Sequence, residues 1–163
     1  MEQHNKNICT IDIDGELWAD ITGFEGIYQI SNLGRVKSVQ RKVEHKLTSE
    51  KTIPSIIRKV SPDADGYMII GLWKNNKGYT KKIHRLVAEA FIPNPENKIE
   101  VNHIFGIKND NRVSQLEWVT PSENQVHSFS VLKRKGSSYG KKGKEIWASK
   151  SVICTTLFGI EFE

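Results

Sequence analysis

Four asparagine and histidine side chains surround a predicted strand–loop–strand–helix pattern in the 163-residue chain. Asn102 and His103 end the first strand, Asn124 lies in the first helical turn, and His127 follows one turn later on the same face. Amide oxygens suit a hard cation such as magnesium, and a histidine can activate water near neutral pH. The pattern indicates metal-assisted phosphodiester hydrolysis. Asparagine at turns and histidine after strands also occur for purely structural reasons, so spacing alone leaves both interpretations open.

The helix that carries Asn124 has a strong local start signal. Thr120 is a good N-cap, Pro121 suits the first helical position, and Glu123 completes a capping box. These residues predict a helix over 121–132.

The strands that precede this helix are shorter and less clearly marked. Apolar residues predict strands over 99–101 and 116–119, separated by a turn-rich loop over 104–114. The pattern upstream predicts short strands and turns over 18–39, an exposed or DNA-facing loop over 40–59, strands over 67–73 and 79–83, and a helix over 84–91.

Charge and cysteine content narrow the class of protein. The formal net charge is +5 and the isoelectric point about 9.2, which favours a polyanionic partner such as nucleic acid. Cys9 and Cys154 form no CxxC pair, which excludes a zinc ribbon and argues against a disulfide framework. Residues 1–14 lack an apolar signal region and no segment reaches membrane-spanning length. We therefore expect a cytoplasmic protein that is not secreted.

Lysine and arginine side chains before and within the helix at 84–91, and after the last helix, are candidates for binding DNA phosphates without reading bases. They are Arg35, Lys37, Lys81, Lys82, Arg85, Lys133, Arg134, Lys135, Lys141, Lys142 and Lys144. The basic run at 133–144 also fits a solvated linker. The aromatic residues are expected to be core rather than base-stacking groups.

Two long stretches of the sequence resemble known DNA-cutting modules. The runs HRLVAEAFIPNP at 84–95, VNH at 101–103, NR at 111–112 and LEWVTPSEN at 116–124 are similar to the HNH homing endonucleases of phages and bacteria. The upstream run WADITGFEGIYQISNLGRVKS at 18–38 resembles the nuclease-associated modular motif that often precedes this domain. Together the two resemblances cover roughly residues 16–130.

The resemblance implies a ββα-metal fold that hydrolyses one DNA strand with Mg²⁺ or Mn²⁺. It assigns His103 as the general base and Asn102 and Asn124 as metal ligands. Gln115 occupies the position where the family has an asparagine that helps to orient the histidine, and it has the same amide on a longer side chain. Asn111 and His127 are possible additional site residues.

Two departures from the family pattern bear on activity. The loop after the histidine commonly carries polar residues around its glycine, whereas here Phe105 and Ile107 flank Gly106. Asn102 stands where the family has aspartate or asparagine. With asparagine the site has less negative charge than with aspartate, so we expect lower metal affinity.

We therefore predict an α+β protein in which a small antiparallel sheet region precedes a ββα nuclease unit and a basic tail. The predicted divisions are a flexible N-terminus at 1–14, the modular motif at 15–60, the HNH domain at 61–132 with its ββα core at 99–132, and a basic linker with a truncated DNA-binding motif at 133–163.

Three functional hypotheses follow. The first is a site-specific endonuclease that nicks double-stranded DNA as a monomer in the bacterial cell, without a protein or membrane partner. The second is an HNH-derived DNA-binding protein that has lost catalysis, which Phe105, Ile107 and Gln115 favour. The third is an RNA-binding or ribosome-associated basic protein, for which no base-stacking motif is visible.

Overall fold

The computed structural model describes residues 13–45 and 49–133. Nearly all of the predicted flexible N-terminus and of the predicted basic tail lies outside these residues. The candidate phosphate ligands outside the described residues are Arg134, Lys135, Lys141, Lys142 and Lys144.

Four small antiparallel sheets and two helices make up the fold of the described residues, which confirms the predicted α+β class. The sheets have the strand orders β1-β2-β3-β6, β4-β5, β7-β8-β9 and β10-β11. The elements are β1 (Trp18–Asp20), β2 (Tyr28–Ser31), β3 (Val36–Ser38), β4 (Arg41–His45), β5 (Ser49–Ile53), β6 (Ile56–Arg58), β7 (Ser61–Pro62), β8 (Met68–Lys74), β9 (Lys77–Lys82), α1 (Ile83–Phe91), β10 (Glu100–His103), β11 (Leu116–Val119) and α2 (Pro121–Ser130).

One hydrophobic core joins the N-terminal sheet to β8, α1 and β11. Ile30 and Val36 enter it from β2 and β3, Leu72 from β8, and Ile83 and Val87 from α1, and all five side chains are fully buried. Burial of these large apolar groups stabilises the fold by about 1.5–3 kcal/mol for each side chain. The sheet that contains 18–38 and the elements that contain the candidate site are therefore packed as one structure.

The turn between β2 and β3 also contacts the loop that precedes β11. The Val113 N–H donates to the Asn32 carbonyl oxygen at 2.8 Å. Gly34 lies so close to Asn111 that a Cβ on the glycine would be 2.8 Å from the Asn111 Cβ. This turn thus supports one side of the loop that follows His103.

The prediction of a loop over 40–59 is wrong, whereas the alternative that this segment faces DNA stays a prediction. Residues in this range form the β4–β5 hairpin and the edge strand β6, with the register Arg41↔Ile53 to His45↔Ser49 in the hairpin. Lys42 and Glu50 are exposed and form an ion pair at 2.9 Å. Because charged residues cover much of the hairpin, its sequence lacks the apolar alternation by which a half-buried strand is recognised.

The prediction for α2 is confirmed, although the helix ends at Ser130 rather than 132. The Glu123 N–H donates to the Thr120 hydroxyl at 3.2 Å, and the Thr120 N–H donates to the Glu123 carboxylate at 2.7 Å. This reciprocal capping box fixes the point at which α2 leaves β11.

The expectation that the aromatic residues are core holds for some of them. Phe24 and Tyr28 are buried and their rings meet edge to face with centroids 6.0 Å apart. Trp73 is 59% exposed, because strand β8 turns this side chain away from the core and over Gly78. Within the described residues, no helix is both long enough and apolar enough to cross a membrane.

Candidate active site

The β10–β11 pair and α2 bring three predicted site residues to one cavity. Asn102 and His103 lie at the end of β10, where His103 pairs with Leu116 of β11. The capping box directs α2 back over the strands, so that Asn124 faces the same cavity. This cavity has a volume of about 290 Å³ and includes Asn102, His103 and Asn124 in its wall.

Two glutamates orient the asparagine amides in this wall. The Asn102 Nδ2 donates to the Glu117 carboxylate at 2.8 Å, and the Asn124 Nδ2 donates to the Glu100 carboxylate at 2.7 Å. Because each amide nitrogen is engaged by a carboxylate, each carbonyl oxygen remains the atom that can bind a cation.

His103 is buried and is held from one side by Asn111. The His103 Nε2 lies 3.3 Å from the Asn111 Oδ1, while the Asn111 Nδ2 donates to the Asn109 carbonyl oxygen at 3.2 Å. Since the Asn111 Oδ1 can only accept, this contact favours the tautomer in which His103 Nε2–H donates and Nδ1 is the basic nitrogen.

Burial lowers the pKa of His103 below its usual range, although the contact with Asn111 partly opposes this shift. His103 is therefore neutral at pH 7, as a general base must be.

Two further aromatic rings surround His103. The His84 ring centroid lies 5.1 Å from that of His103, and the Tyr67 ring centroid lies 5.9 Å from it. Burial lowers the pKa of His84 to about 3, so His84 adds no positive charge beside the base.

Gln115 does not contact His103 in this structure. Its side-chain nitrogen lies 3.4 Å from the Ser114 hydroxyl. Its backbone makes the hydrogen bonds to the loop, since the carbonyl oxygen accepts from the Ile104 N–H at 2.9 Å and the N–H donates to the Arg112 carbonyl oxygen at 2.9 Å. Asn111 thus makes the histidine contact that the resemblance assigns to position 115.

His127 lies outside the wall of the cavity. Its Nε2–H donates to the Ile104 carbonyl oxygen at 2.9 Å, and its buried Nδ1 has no hydrogen-bond partner among the described residues. This geometry gives His127 a role in fixing the loop after His103 rather than a role in the cavity.

The candidate phosphate ligands fall into two groups according to the contacts that their side chains make. Arg35 forms an ion pair with the buried carboxylate of Glu16, and the Lys37 ammonium lies 4.1 Å from the centroid of the Trp18 ring. These contacts tie Arg35 and Lys37 to the N-terminal sheet, at a distance from the cavity wall.

The other candidate phosphate ligands that the structure describes lie on β9, on α1 and after α2. Lys81 and Lys133 are exposed, and Arg85 donates to the Ile99 carbonyl oxygen. The Lys82 ammonium lies 4.5 Å from the centroid of the Tyr67 ring and 3.8 Å from the Asp63 carboxylate.

Sequence reasoning missed four residues of this site, namely Tyr67, Lys108, Glu100 and Glu117. Tyr67 and Lys108 line the cavity, and the Lys108 ammonium lies 4.6 Å from the Tyr67 ring centroid. Pairing β10 with β11 in antiparallel register would have placed Glu117 opposite Asn102, which is the one signal that the sequence offers for this group.

The donor set fits a hard divalent cation. In the part of the chain that the structure describes, no three His, Cys, Asp or Glu side chains cluster as metal ligands. The available ligands are the two amide oxygens of Asn102 and Asn124, so water and substrate oxygens must complete the coordination shell. Such open coordination by oxygen is typical of magnesium and manganese sites that act on phosphates.

Comparisons with known proteins match both the N-terminal part of the chain and the part that contains the cavity. The HNH endonuclease family model matches residues 81–126, and the NUMOD4 motif model matches residues 16–73. DNA endonuclease I-HmuI of Bacillus phage SP01 is 38% identical over 149 residues, which cover 90% of this chain and 76% of that protein. The prophage-derived putative HNH homing endonuclease YosQ of Bacillus subtilis is 38% identical over 94 residues, or 57% of this chain and 52% of YosQ.

The fold is similar to a solved structure of the same kind. A solved structure of the HNH homing endonuclease I-HmuI, which concerns its DNA binding and cleavage, aligns with this chain at a TM-score of 0.58 and 37% sequence identity. The alignment covers 75% of this chain and 63% of the solved chain, so this chain spans less than two thirds of it.

Fold, site and family matches together define a nuclease of the hydrolase class, built on a ββα unit. More narrowly, the chain belongs to the family of HNH homing endonucleases.

Proposed function

We propose that this protein is a metal-dependent endonuclease that binds double-stranded DNA as a monomer and hydrolyses one of its strands. The observation that carries the proposal is the polar cavity that contains a neutral, oriented histidine and two asparagine amides with their oxygens available. The described chain has one such cavity, so a monomer would cut one strand in each binding event.

Asn102 and Asn124 would hold the divalent cation, either Mg²⁺ or Mn²⁺, through their amide oxygens. When bound, such a cation polarises the scissile phosphate and stabilises the leaving oxygen. Lys82 and Lys108, which lie against the Tyr67 ring, place positive charge beside the cavity and favour the approach of the phosphodiester backbone.

His103 would move the proton in the hydrolytic step. Its Nδ1 accepts a proton from water as the water oxygen bonds to phosphorus, while Nε2–H continues to donate to Asn111. The bond between phosphorus and the bridging ester oxygen then breaks, and that oxygen takes a proton from a second water molecule to become the hydroxyl end of the cut strand.

Metal dependence and the number of strands cut can be measured together on supercoiled plasmid that carries candidate phage and host sequences. We expect conversion to open circles with Mg²⁺ or Mn²⁺ and no conversion with chelator. Direct conversion to linear DNA at low enzyme would contradict nicking by a monomer. Cutting that persists in chelator would contradict the role assigned to Asn102 and Asn124.

Replacing Asn111 with alanine is expected to reduce kcat about 10- to 100-fold, as loss of a group that orients a site residue commonly does. Gln115→Ala is the matched control and is expected to change kcat by less than about 3-fold, because the Gln115 side chain contacts only Ser114. Single-turnover nicking rates, with thermal unfolding to verify the fold, measure both. Equal losses of nicking rate in the two variants would indicate that Gln115 also orients His103.

A DNA-binding protein without catalysis is the second candidate. It is favoured by the Gln115 side chain, which makes no hydrogen bond to His103, and by Phe105 and Ile107, which are 66% and 52% exposed in the site loop. Metal-independent DNA binding without open-circle product, under conditions where binding is saturated, would favour this candidate over the nuclease.

A further inference from the structure

Glu100 and Glu117 each accept a hydrogen bond from one candidate metal ligand, and both hydrogen bonds require that ligand to be an amide. Asn102 is buried and lies opposite Glu117 in the β10–β11 register, and its Nδ2 donates to the Glu117 carboxylate at 2.8 Å. The same arrangement recurs between α2 and β10, where the Asn124 Nδ2 donates to Glu100. In both pairs, the hydrogen that joins the two side chains belongs to the asparagine amide.

This geometry has a definite consequence for position 102. An aspartate there would have no hydrogen to donate, so a carboxylate oxygen would occupy the place of Nδ2, within hydrogen-bond distance of a second carboxylate. Two like charges at such a separation in a partly buried site repel strongly. A carboxylate at position 102 is therefore less stable than an amide beside Glu117 as placed here.

We propose that Glu117 is a positioning residue that turns the Asn102 carbonyl oxygen toward the cation, and that it favours an amide over a carboxylate at position 102 in this protein. Asn102 then serves at this position because its amide can donate to Glu117. It is not simply an acidic metal ligand that has lost its charge. The orienting role of Glu117 rests on the proposed function, because it assumes the metal site. The preference for an amide at position 102 concerns the metal-free protein.

The orienting part is tested with two variants that remove the same charge. E117Q keeps an acceptor oxygen for the Asn102 amide, whereas E117A has none and leaves the amide able to rotate. We expect E117A to bind Mn²⁺ about 10-fold more weakly than E117Q in calorimetric titration of the metal alone. Equal Mn²⁺ affinities of the two variants would overturn the orienting role.

The pairing part is tested by the unfolding of the metal-free protein in a double-mutant cycle. N102D alone is expected to lower the Tm by about 5 °C, and E117Q alone to change it by less than about 2 °C. N102D/E117Q should recover most of the loss, because the glutamine amide can donate to the new carboxylate. Additive changes, or an N102D variant as stable as the parent, would overturn the pairing.

These readouts separate this proposal from the proposed function. If the parent protein binds DNA but makes no open circles, nuclease activity is contradicted, and the coupling between positions 102 and 117 is still decided by the unfolding cycle. If the parent nicks DNA but the cycle is additive, the pairing fails while the nuclease assignment stands.

Discussion

The His103→Ala variant is expected to cleave DNA about 10²- to 10⁴-fold more slowly than the parent protein, which is the usual contribution of a positioned general base. Among the described residues, the variant loses the one imidazole in the cavity wall that can take a proton from water at neutral pH. Binding of DNA should be retained, because the proposed phosphate ligands are lysine and arginine side chains elsewhere. Single-turnover nicking and a gel-shift titration measure the two effects separately.

His127→Ala is the matched control for this substitution. His127 is also a histidine next to the site loop, but it donates to the Ile104 carbonyl oxygen and does not line the cavity. Its loss removes one hydrogen bond, worth about 1 kcal/mol, and is expected to slow cleavage by no more than about 10-fold. A His127→Ala variant as inactive as His103→Ala would contradict the assignment of the base.

The pH dependence of cleavage gives a second test of His103. The base must be neutral, so the rate rises as pH increases through its pKa and then becomes constant. Because burial lowers this pKa, the rise should be centred below pH 6.5, the ordinary value for histidine. The residual cleavage by His103→Ala should lack this inflection. A parent profile that still rises steeply above pH 7 would identify a different base.

Local signals explain which parts of the structure could be predicted from the sequence. The start of α2 was predictable because Thr120, Pro121 and Glu123 interact within one helical turn. The strand at 116–119 was predictable because its apolar residues lie between turn signals. The roles of His103 and Asn124 came from the resemblance to a family, and the structure places both residues at one cavity.

The remaining features depend on contacts that sequence spacing does not encode. Asn111 reaches His103 because the loop between them folds back under the β2–β3 turn, whereas Gln115 lies one position before β11 and its side chain points to Ser114. Glu117 becomes relevant only once the strand register is known. The ion pair of Arg35 could not be predicted, because the sequence does not show that Glu16 lies beside it.

The largest effect on stability is expected from Gly34→Ala, at about 3 kcal/mol of the free energy of unfolding. Gly34 has φ +80°, and a Cβ there would lie 2.8 Å from the Asn111 Cβ and 3.1 Å from the Asn111 carbonyl oxygen. A positive φ costs a non-glycine residue about 1–2 kcal/mol, and forcing a packed backbone apart adds about 1–3 kcal/mol.

Gly23→Ala isolates the backbone contribution. Gly23 has nearly the same φ, +82°, but no other side chain or backbone atom lies within 4 Å of the place that a Cβ would take there. It should therefore lose only the roughly 1–2 kcal/mol that the positive φ costs. Urea unfolding of both variants measures the difference, and equal losses would show that Asn111 moves aside without cost.

The same pair of variants tests whether the N-terminal sheet supports catalysis. Displacement of Asn111 by the new methyl group at position 34 would remove the acceptor for His103 Nε2–H, so Gly34→Ala should also slow nicking about 10-fold at temperatures where it is folded. Gly23→Ala, with no contact to this loop, should nick at the parent rate. Because Gly34 belongs to the turn between β2 and β3, such a result would mean that the upstream sheet positions the general base as well as sharing the hydrophobic core.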